Sequence, residues 1–182
     1  MVDIFKLKFT ILQLEILRFL YLQAGVKFNA NQLAKRIGVS QTAIAKALPL
    51  LVKEELVKQE QDKESGRYAI ELNRDNPLVI SLKRAENLKM LYESSLHQYL
   101  YDSLPGTTII LFGSYSRGDD TATSDIDIAV IGIKEKELDL SSFTKKLGRD
   151  IVCNFYGSLT DVHNNLRNNL LNGIVLSGSI EV

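Results

Sequence analysis

Two aspartates, Asp125 and Asp127, stand on either side of a single isoleucine and are the residues best suited by type and spacing to do chemistry. Side chains two positions apart on a strand point to the same face, so both carboxylates would face the same way. Paired carboxylates bind divalent cations and serve sites in which metal ions act on a phosphoryl group. The pair therefore predicts a metal site at the start of a strand.

A glycine and a serine, Gly113 and Ser114, precede Asp125 with ten residues in between and directly follow an apolar run. Glycine lets the backbone come close to a phosphate, and loop amides together with a serine hydroxyl can donate hydrogen bonds to its oxygens. Arg117 lies in the same loop, where its guanidinium either contacts a phosphate or pairs with a loop acid. This combination predicts a phosphate-binding turn that shares one cavity with the two aspartates.

Other polar residues of this half have simpler explanations. Asp119 and Asp120 follow the arginine and are expected to be ordinary acids of a solvated loop. His97 and His163 fall in helical patterns and are expected to be exposed or structural. Cys153 is expected to pack as a small apolar side chain in a strand.

The elements that must position these residues occupy the second half of the chain. Apolar and β-branched runs predict three strands and two helices, with a polar loop between the first two strands. The predicted strands are Thr107–Phe112, Ile126–Ile131 and Asp150–Tyr156, and the predicted helices are Ser141–Leu147 and a segment from Ser158 to Asn172.

The second half of the chain contains, in order, a strand, Gly-Ser, ten residues, Asp-x-Asp and a second strand, with Arg-Gly inside the loop. This order resembles the nucleotidyltransferases of the DNA polymerase β superfamily. Among these it is most similar to the minimal type, which often pairs with a toxin. The resemblance covers residues 105–182 and implies an α/β core with a mixed sheet. It also implies a nucleoside triphosphate bound with Mg²⁺ or Mn²⁺, and transfer of a nucleoside monophosphate to a hydroxyl while pyrophosphate leaves. By position, Gly113 and Ser114 would hold the triphosphate, and Asp125 and Asp127 would ligate the metal and act in catalysis.

The resemblance is incomplete at one position. The family usually has a third carboxylate on the next core strand, as a base or a metal ligand, and the motif places it where this chain has Val152. Asp150 lies two residues earlier on the same face, displaced by about 6.5 Å along the strand. Asn154 would be a neutral ligand. The sequence does not identify the acceptor hydroxyl, which can belong to a protein side chain, a tRNA end or a small molecule.

The first half of the chain has the order of a small helical domain that ends in a hairpin. Helical periodicity and alternation predict three helices and two strands. The predicted helices are 11–22, 29–38 and 41–55, and the predicted strands are 56–61 and 67–73. Pro49 is expected to kink or shorten the third helix. This order resembles a winged helix–turn–helix domain, with a glycine in the turn and Ser40 capping the recognition helix.

The winged-helix resemblance predicts DNA binding through the third helix and the hairpin. The early residues of a recognition helix enter the major groove, so Gln41 and Thr42 would read base edges. The candidates for phosphate contacts are Lys35, Arg36 and Lys46 in the helices and Lys63 and Arg67 at the hairpin tip. Residues 1–76 carry a net charge of +3 and the remainder −3, which favours the first half as the nucleic-acid-binding part.

We therefore expect an α+β protein in three parts. Residues 1–76 form the winged helix–turn–helix domain, and residues 77–104 form a single linking helix that begins at Pro77. Residues 105–182 form the α/β nucleotidyltransferase-like domain with a mixed sheet.

Composition excludes several classes of protein. Hydrophobic residues make up 45% of the chain and charged residues 24%, as in ordinary globular proteins. No apolar stretch approaches the roughly 20 residues of a membrane helix, and the first residues lack a signal-peptide pattern. The 1 cysteine cannot form an internal disulfide, and the 2 histidines lie too far apart in sequence for a usual zinc cluster. We expect a cytoplasmic protein that does not associate with membranes.

Two alternatives to an enzyme stay open. The valine at position 152 favours a DNA-binding regulator whose transferase-like domain binds a nucleotide or a partner without turnover. The other alternative is an antitoxin-like protein, whose winged helix controls its own operon while the second domain silences a toxin-like partner. The intact Asp-x-Asp favours the enzyme. A homodimer is expected of a winged-helix protein that binds DNA.

Overall fold

The structure is a computed structural model that describes residues 6–61, 66 and 68–180. The chain divides into two compact units, Met1–Val79, called here the first unit, and Ile80–Val182, the second unit. Within the described residues, no helix combines the length and the apolar content that crossing a membrane requires.

The first unit contains three helices followed by a two-stranded hairpin. Their bounds are α1 Ile11–Leu22, α2 Ala30–Ile37, α3 Gln41–Lys53, β1 Val57–Gln61 and β2 Tyr68–Leu72. Thr10, Asn29 and Ser40 cap the three helices, because each side chain accepts a hydrogen bond from the backbone amide three residues later. Gly38 ends α2 with a left-handed φ of 83°. The predicted helix–turn–helix and hairpin are confirmed.

An apolar core holds the first unit together. Its fully buried members include Ile16, Leu20, Leu33, Ile44 and Leu51, which come from all three helices. The hairpin joins this core through Ile70, whose backbone exchanges two hydrogen bonds with that of Phe28. α3 continues through Pro49 and ends two residues earlier than the sequence predicts.

The second unit surrounds a four-stranded sheet with helices. The bounds are α4 Pro77–Glu93, α5 Leu96–Ser103, β3 Thr108–Phe112, α6 Gly113–Arg117, β4 Ile126–Ile131, α7 Ser141–Leu147, β5 Ile151–Tyr156, α8 Asn164–Leu171 and β6 Ile174–Ser177. The boundary between the two units falls within α4. The strand order is β5-β4-β3-β6, where β3 runs antiparallel to β4 and β6, and β4 runs parallel to β5. The expected mixed sheet is therefore confirmed.

The register between β3 and β4 decides which polar residues meet. Phe112, the last residue of β3, pairs with Asp127, and Thr108, the first, pairs with Ile131. The chain that leaves β3 therefore starts directly beside the two aspartates at the start of β4. The centres of both strands are fully buried, so this register is held by the core of the sheet.

The segment 77–104 forms two helices instead of the single helix that the sequence predicts. α4 and α5 are separated by Ser94 and Ser95, and Ser95 adopts a left-handed φ of 68°. Ser94 Oγ donates a hydrogen bond to the Leu91 carbonyl at 2.8 Å, a local contact that competes with continuation of the helix. The apolar periodicity does not reveal the break because neither glycine nor proline marks it.

Three further differences concern shorter elements of the second unit. The predicted polar loop after β3 begins with the short helix α6. The predicted helix from Ser158 to Asn172 is a 3-10 turn, Leu159–Asp161, followed by the separate helix α8. The predicted cap is present, because Asp161 Oδ2 accepts a hydrogen bond from the Ser158 amide at 2.9 Å. The sequence does not predict β6, whose four residues are too few for a clear pattern.

Candidate active site and nucleic-acid interface

Gly113 and Asp127 lie against each other at one end of the sheet. Gly113 begins α6 with a φ of 72° and directly follows Phe112, the register partner of Asp127. A Cβ atom added to Gly113 would overlap Asp127 Oδ2 and lie 3.1 Å from Asp127 Cγ. Only glycine lets the α6 backbone come this close to the carboxylate. The structure thus brings together the predicted phosphate-binding turn and the predicted acids.

The two aspartates differ in their surroundings. Asp125 immediately precedes β4 and is exposed, whereas Asp127 lies within β4 and is half-buried. Burial raises the pKa of the Asp127 carboxyl above its usual value, the negative charge of Asp125 raises it further, and Arg117 lowers it. The effect of the Asp125 charge indicates that the two carboxylates lie near each other. A cation beside the pair would offset both costs.

α6 carries the other two predicted nucleotide-binding residues. Ser114 is half-buried in its first turn, and Arg117 is exposed in its last turn. Arg117 Nε forms an ion pair with Asp119 Oδ2 at 3.2 Å. Of the two roles that the sequence leaves open for Arg117, the structure contains the pairing with a loop acid, and the phosphate contact stays a prediction.

The strand beside β4 supplies no carboxylate next to Asp127. β5 runs parallel to β4, and Val152 is the residue that pairs with Asp127. Val152 is 39% exposed, so it is not buried in the apolar core. Asn154 pairs with Ala129, farther along the strands from the acids. Among the residues that the structure describes, no group of three or more His, Cys, Asp or Glu side chains could hold a metal ion.

Along the paired strands β4 and β5, Asp150 lies closer to Asp125 than to Asp127. It immediately precedes β5, and its carbonyl accepts a hydrogen bond from the Ile126 amide at 2.8 Å. Asp125 and Asp150 line one small cavity of about 270 Å³ together with Thr144 and Arg149. The chain therefore has a third acid near the pair, two residues away from the position where the family pattern has one.

Asp120 is not the solvated loop acid that the sequence predicts. Its side chain is 1% exposed, its Oδ2 contacts Arg149 Nη2 at 2.8 Å, and its Oδ1 binds Lys83 Nζ. Lys83 and Arg149 are themselves 0% and 6% exposed. No local pattern reveals this cluster, because its members come from α4, from the loop after α6 and from the start of β5. Asp119, by contrast, is exposed as expected.

The cysteine and the histidines have surroundings that agree with structural or surface positions. Cys153 is half-buried in β5, and this burial raises the pKa of its thiol to about 11. His97 Nε2 makes a hydrogen bond with the Leu176 carbonyl at 3.1 Å, and its ring packs against Tyr92. His163 is exposed.

A cavity of about 600 Å³ lies at the opposite end of β3 and β4 from the acids. It is lined by hydroxyl, glycine and apolar residues, among them Tyr101, Thr108 and Ile131, and by no charged side chain. Phosphoryl chemistry needs charged groups that bind and stabilise phosphate oxygens. The candidate active site is therefore the end of the sheet with the acids. The cavity beside Asp125 and Asp150 is smaller, and its lining does not include Asp127 or Gly113.

The predicted DNA-contacting side chains of the helices lie on the surface of the first unit. All five are exposed, in the last turn of α2 (Lys35, Arg36), the first turn of α3 (Gln41, Thr42) and its second turn (Lys46). Three residues connect α2 to α3, so the basic end of α2 adjoins the start of α3. Lys63 and Arg67, the predicted contacts at the hairpin tip, lie outside the described residues.

Gln41 also lines a groove that the sequence does not predict. This groove, of about 750 Å³, is bordered by amide side chains that include Asn31 and Gln59 and by Tyr68 of the hairpin. Carboxamides carry both donors and acceptors, which are the groups that base edges present. Gln59 and Tyr68 follow Gln41 by 18 and 27 residues in the sequence, so only the folded hairpin places these side chains beside the start of α3.

Family models match both halves of the chain. Residues 94–170 match the model described as the nucleotidyltransferase domain, and residues 7–67 match the model of the MarR family. Each model covers less than half of the chain, and the two matched regions do not overlap. The comparison with curated proteins found no match.

Three solved structures are similar over about half of this chain. The adhesin competence repressor AdcR of Streptococcus pyogenes is 24% identical over 53% of this chain and 68% of its own, with a TM-score of 0.42. A mutant of Lactococcus lactis ZitR is 21% identical over 54% of this chain and 64% of its own, with a TM-score of 0.41. S. aureus MepR, solved in a complex with DNA, is 18% identical over 53% of this chain and 78% of its own, with a TM-score of 0.39.

Proposed function

We propose that this chain, which joins an N-terminal MarR-family winged-helix domain to a C-terminal nucleotidyltransferase domain, transfers a nucleoside monophosphate from a nucleoside triphosphate to a hydroxyl group. The acceptor oxygen forms a bond to the α-phosphorus, the bond to the bridging oxygen breaks, and pyrophosphate leaves. The observation that carries the proposal is the contact between the Gly113 backbone and the Asp127 carboxylate. It supports one cavity in which the same nucleotide meets both groups.

The two aspartates fit a divalent cation such as Mg²⁺ or Mn²⁺. Carboxylate oxygens are the ligands these ions prefer, and Mg²⁺ is commonly held by one or two carboxylates together with substrate phosphates. The raised pKa of Asp127 supports this fit, since burial and the charge of Asp125 both disfavour an uncompensated carboxylate there. When bound, the ion would polarise the phosphoryl oxygens and neutralise charge that develops on them.

The chain's own residues would bind and orient the triphosphate. The amides at the start of α6 and the Ser114 hydroxyl donate hydrogen bonds to phosphate oxygens, and Gly113 allows their close approach. Arg117 forms an exposed ion pair with Asp119. Because such pairs contribute little free energy, Arg117 exchanges this partner for a phosphate at small cost.

The first unit would bind DNA through α3 and its flanking residues. Gln41 and Thr42 read base edges in the major groove, while Lys35, Arg36 and Lys46 contact phosphates. The exposure of all five side chains and the MarR-family match support this assignment. Lys63 and Arg67 remain predicted contacts of the hairpin tip, and a homodimer remains the predicted assembly.

One observation favours a second candidate function. Val152 pairs with Asp127, so β5 offers no base or metal ligand at the usual position. The second candidate is accordingly a DNA-binding regulator or antitoxin-like protein, whose nucleotidyltransferase domain binds nucleotide or a toxin-like partner without turnover. Asp150, which shares a cavity with Asp125, is the residue on which the choice depends.

The deciding experiment follows label from nucleoside triphosphates labelled at the α-phosphate, with Mg²⁺, in buffer and in cell lysate. We expect metal-dependent labelling of an acceptor and a fall of at least about 100-fold for Asp125→Asn. Asp102→Asn, an exposed aspartate of α5 hydrogen-bonded to Gln98, is the matched control and should label normally. Nucleotide binding without any labelled acceptor would replace the enzyme by the second candidate.

A pair of glycine variants tests the site itself. Gly113 and Gly106 have nearly the same φ, 72° and 74°, but a Cβ on Gly106 would have no neighbour within 4 Å. Alanine therefore strains the backbone equally at both positions, and only Gly113→Ala displaces the Asp127 carboxylate. We expect Gly113→Ala to lose nucleotide binding and Gly106→Ala to keep it. Equal binding by both variants would contradict the proposed site.

A further inference from the structure

Four polar side chains of the second unit are buried together beneath the loop that leads to the aspartates. This cluster, called here the polar brace, consists of Lys83, Asn87, Asp120 and Arg149, whose exposed fractions are 0%, 1%, 1% and 6%. Lys83 and Asn87 lie one turn apart on the same face of α4, and both bind Asp120 Oδ1. Buried charges are rare unless they are paired, so this cluster requires an explanation.

Asn87 connects the brace to the helix that begins with Gly113. Its Nδ2 donates to Asp120 Oδ1 at 2.7 Å and to the Tyr115 carbonyl at 2.9 Å. Tyr115 Oη in turn donates to the Asn87 carbonyl at 3.2 Å, and the tyrosine is 1% exposed. One amide group thus holds both α6 and the loop that follows it.

Arg149 connects the brace to the residues directly before Asp125. Its Nη2 contacts Asp120 Oδ2 at 2.8 Å, and its Nη1 donates to the carbonyls of Thr121 and Ser124. Two further hydrogen bonds close the same turn. The Thr121 amide donates to Ser124 Oγ at 2.9 Å, and the Ser124 amide donates to the Thr121 carbonyl at 3.2 Å. Asp125 follows this turn immediately, so the Arg149 guanidinium fixes the position of the backbone that enters Asp125.

The loop between α6 and β4 lacks the residues that would fix it by apolar packing. Residues 118–125 read Gly-Asp-Asp-Thr-Ala-Thr-Ser-Asp, in which one alanine is the largest apolar side chain. Its first residue, Gly118, lies so close to α4 that a Cβ there would fall 2.8 Å from the Arg84 amide. Hydrogen bonds and charges must therefore determine the path of this loop against α4.

We propose that the polar brace positions the two halves of the candidate active site relative to each other, with Asn87 holding the Gly113–Ser114 turn and Arg149 holding Asp125. The inference rests on the proposed function, since it assigns the brace a role in nucleotide and metal binding. Lys83, Asn87, Asp120 and Arg149 are positioning residues, because they act through the loop and α6. Misplacement of a reacting group by about 1 Å can lower a rate about 100-fold, so such a brace has a large effect.

Two variants test the brace while keeping its central ion pairs. Arg149→Lys retains the positive charge beside Asp120 but lacks the planar fork that reaches both loop carbonyls. Asn87→Leu removes the hydrogen bonds of the amide group to the Tyr115 carbonyl and to Asp120 Oδ1, and it leaves Lys83 and Arg149 in place. The bond from Tyr115 Oη to the main-chain carbonyl of residue 87 remains. For each folded variant we expect the dissociation constant of Mn²⁺ with a nucleoside triphosphate to rise at least tenfold and the rate of transfer to fall about 100-fold.

The control separates positioning from loss of stability. Leu170→Ala removes a fully buried side chain from the core cluster that includes Ile110 and Phe112 and contains none of the four brace residues. It should lower the melting temperature as much as the brace variants do, yet keep the Mn²⁺ and nucleotide affinity of the unmodified protein. All variants are measured at a temperature where circular dichroism reports them fully folded.

The outcomes separate this inference from the proposed function. If the unmodified protein binds Mn²⁺ and nucleotide and both brace variants bind equally well, the brace does not position the site. Equal losses in Leu170→Ala would likewise overturn the inference, because stability alone would then explain the effect. If the unmodified protein itself binds no Mn²⁺ or nucleotide, the proposed function fails first and the brace inference falls with it.

Discussion

The interiors of the two units are built from different kinds of residue. Among the described residues of the first unit, Gln13 and Tyr21 are the buried side chains that carry a polar group, and the Gln13 amide donates a hydrogen bond to the Ala47 carbonyl at 3.0 Å. The second unit buries Lys83, Asp120 and Arg149 in contact with one another. The described part of the first unit thus buries no charged side chain, whereas the second unit buries three.

This difference corresponds to what each unit is proposed to hold in place. A DNA-binding helix contacts its target with exposed side chains, so the interior need only hold the helix, and apolar packing is sufficient for that. The acids of the second unit instead follow a loop of small polar residues. A buried network of charges and hydrogen bonds specifies geometry at a large cost in desolvation, so it suits a loop that carries a site.

The largest predicted effect comes from breaking the charged interior. Asp120→Ala leaves Lys83 and Arg149 buried without their shared counter-charge, which should cost about 3–5 kcal/mol of stability. In the first unit, Lys8 pairs with Glu54 at the surface, and Lys8→Ala should change stability by at most about 0.5 kcal/mol. Hydrogen exchange in increasing urea, resolved for peptides of each unit, measures both effects.

Two results would contradict this contrast. One is a similar loss of protection in both units of the Asp120→Ala variant, and the other is a loss below about 1 kcal/mol in the second unit. Either would mean that the buried charges contribute no more than surface pairs do.

A smaller effect is expected at the proposed DNA-binding surface of the first unit. Lys46→Ala should weaken binding to all DNA sequences alike and lower the slope of log affinity against log salt by about 1, since one phosphate contact is lost. Lys89→Ala, an exposed lysine of α4 paired with Glu86 and Glu93, serves as the control in the second unit. An unchanged salt slope for Lys46→Ala would remove this lysine from the interface.

The smallest predicted effect concerns the pH dependence of stability at Asp127 in the candidate site. The folded-state pKa of Asp127 is raised, so the protein loses stability as pH rises from the ordinary aspartate pKa of 3.8 through the folded pKa. Without metal, Asp127→Asn should therefore raise the melting temperature at pH 7 by up to about 3 °C, and the gain should vanish towards pH 4. Thermal unfolding in the presence of a chelator measures this.

Asp139 provides a control of opposite sign. Its carboxylate accepts hydrogen bonds from the Ser141 hydroxyl and amide, which lower the pKa of Asp139. A lowered pKa contributes stability above the unfolded value, so Asp139→Asn should lower the melting temperature at pH 7. Shifts of the same sign in both variants would contradict the assignment of the Asp127 environment.

Local patterns were sufficient to predict most of the elements. The caps at Asn29 and Ser40, the stop at Gly38 and the strand Ile126–Ile131 depend on neighbours within a few residues, and the structure contains each of them. The break at Ser95 was not predicted, because a left-handed serine between two apolar stretches leaves the helical periodicity intact.

The sequence by itself determined which residue types are available, namely two carboxylates two positions apart, a glycine–serine turn and a basic helix pair. Only the tertiary structure decided that Gly113 meets Asp127, that Val152 occupies the place beside it, and that Asp120 is buried. The physical reason is that pairing and burial depend on distant segments. A sheet register or a charge partner 37 residues away leaves no trace in the local pattern of a loop.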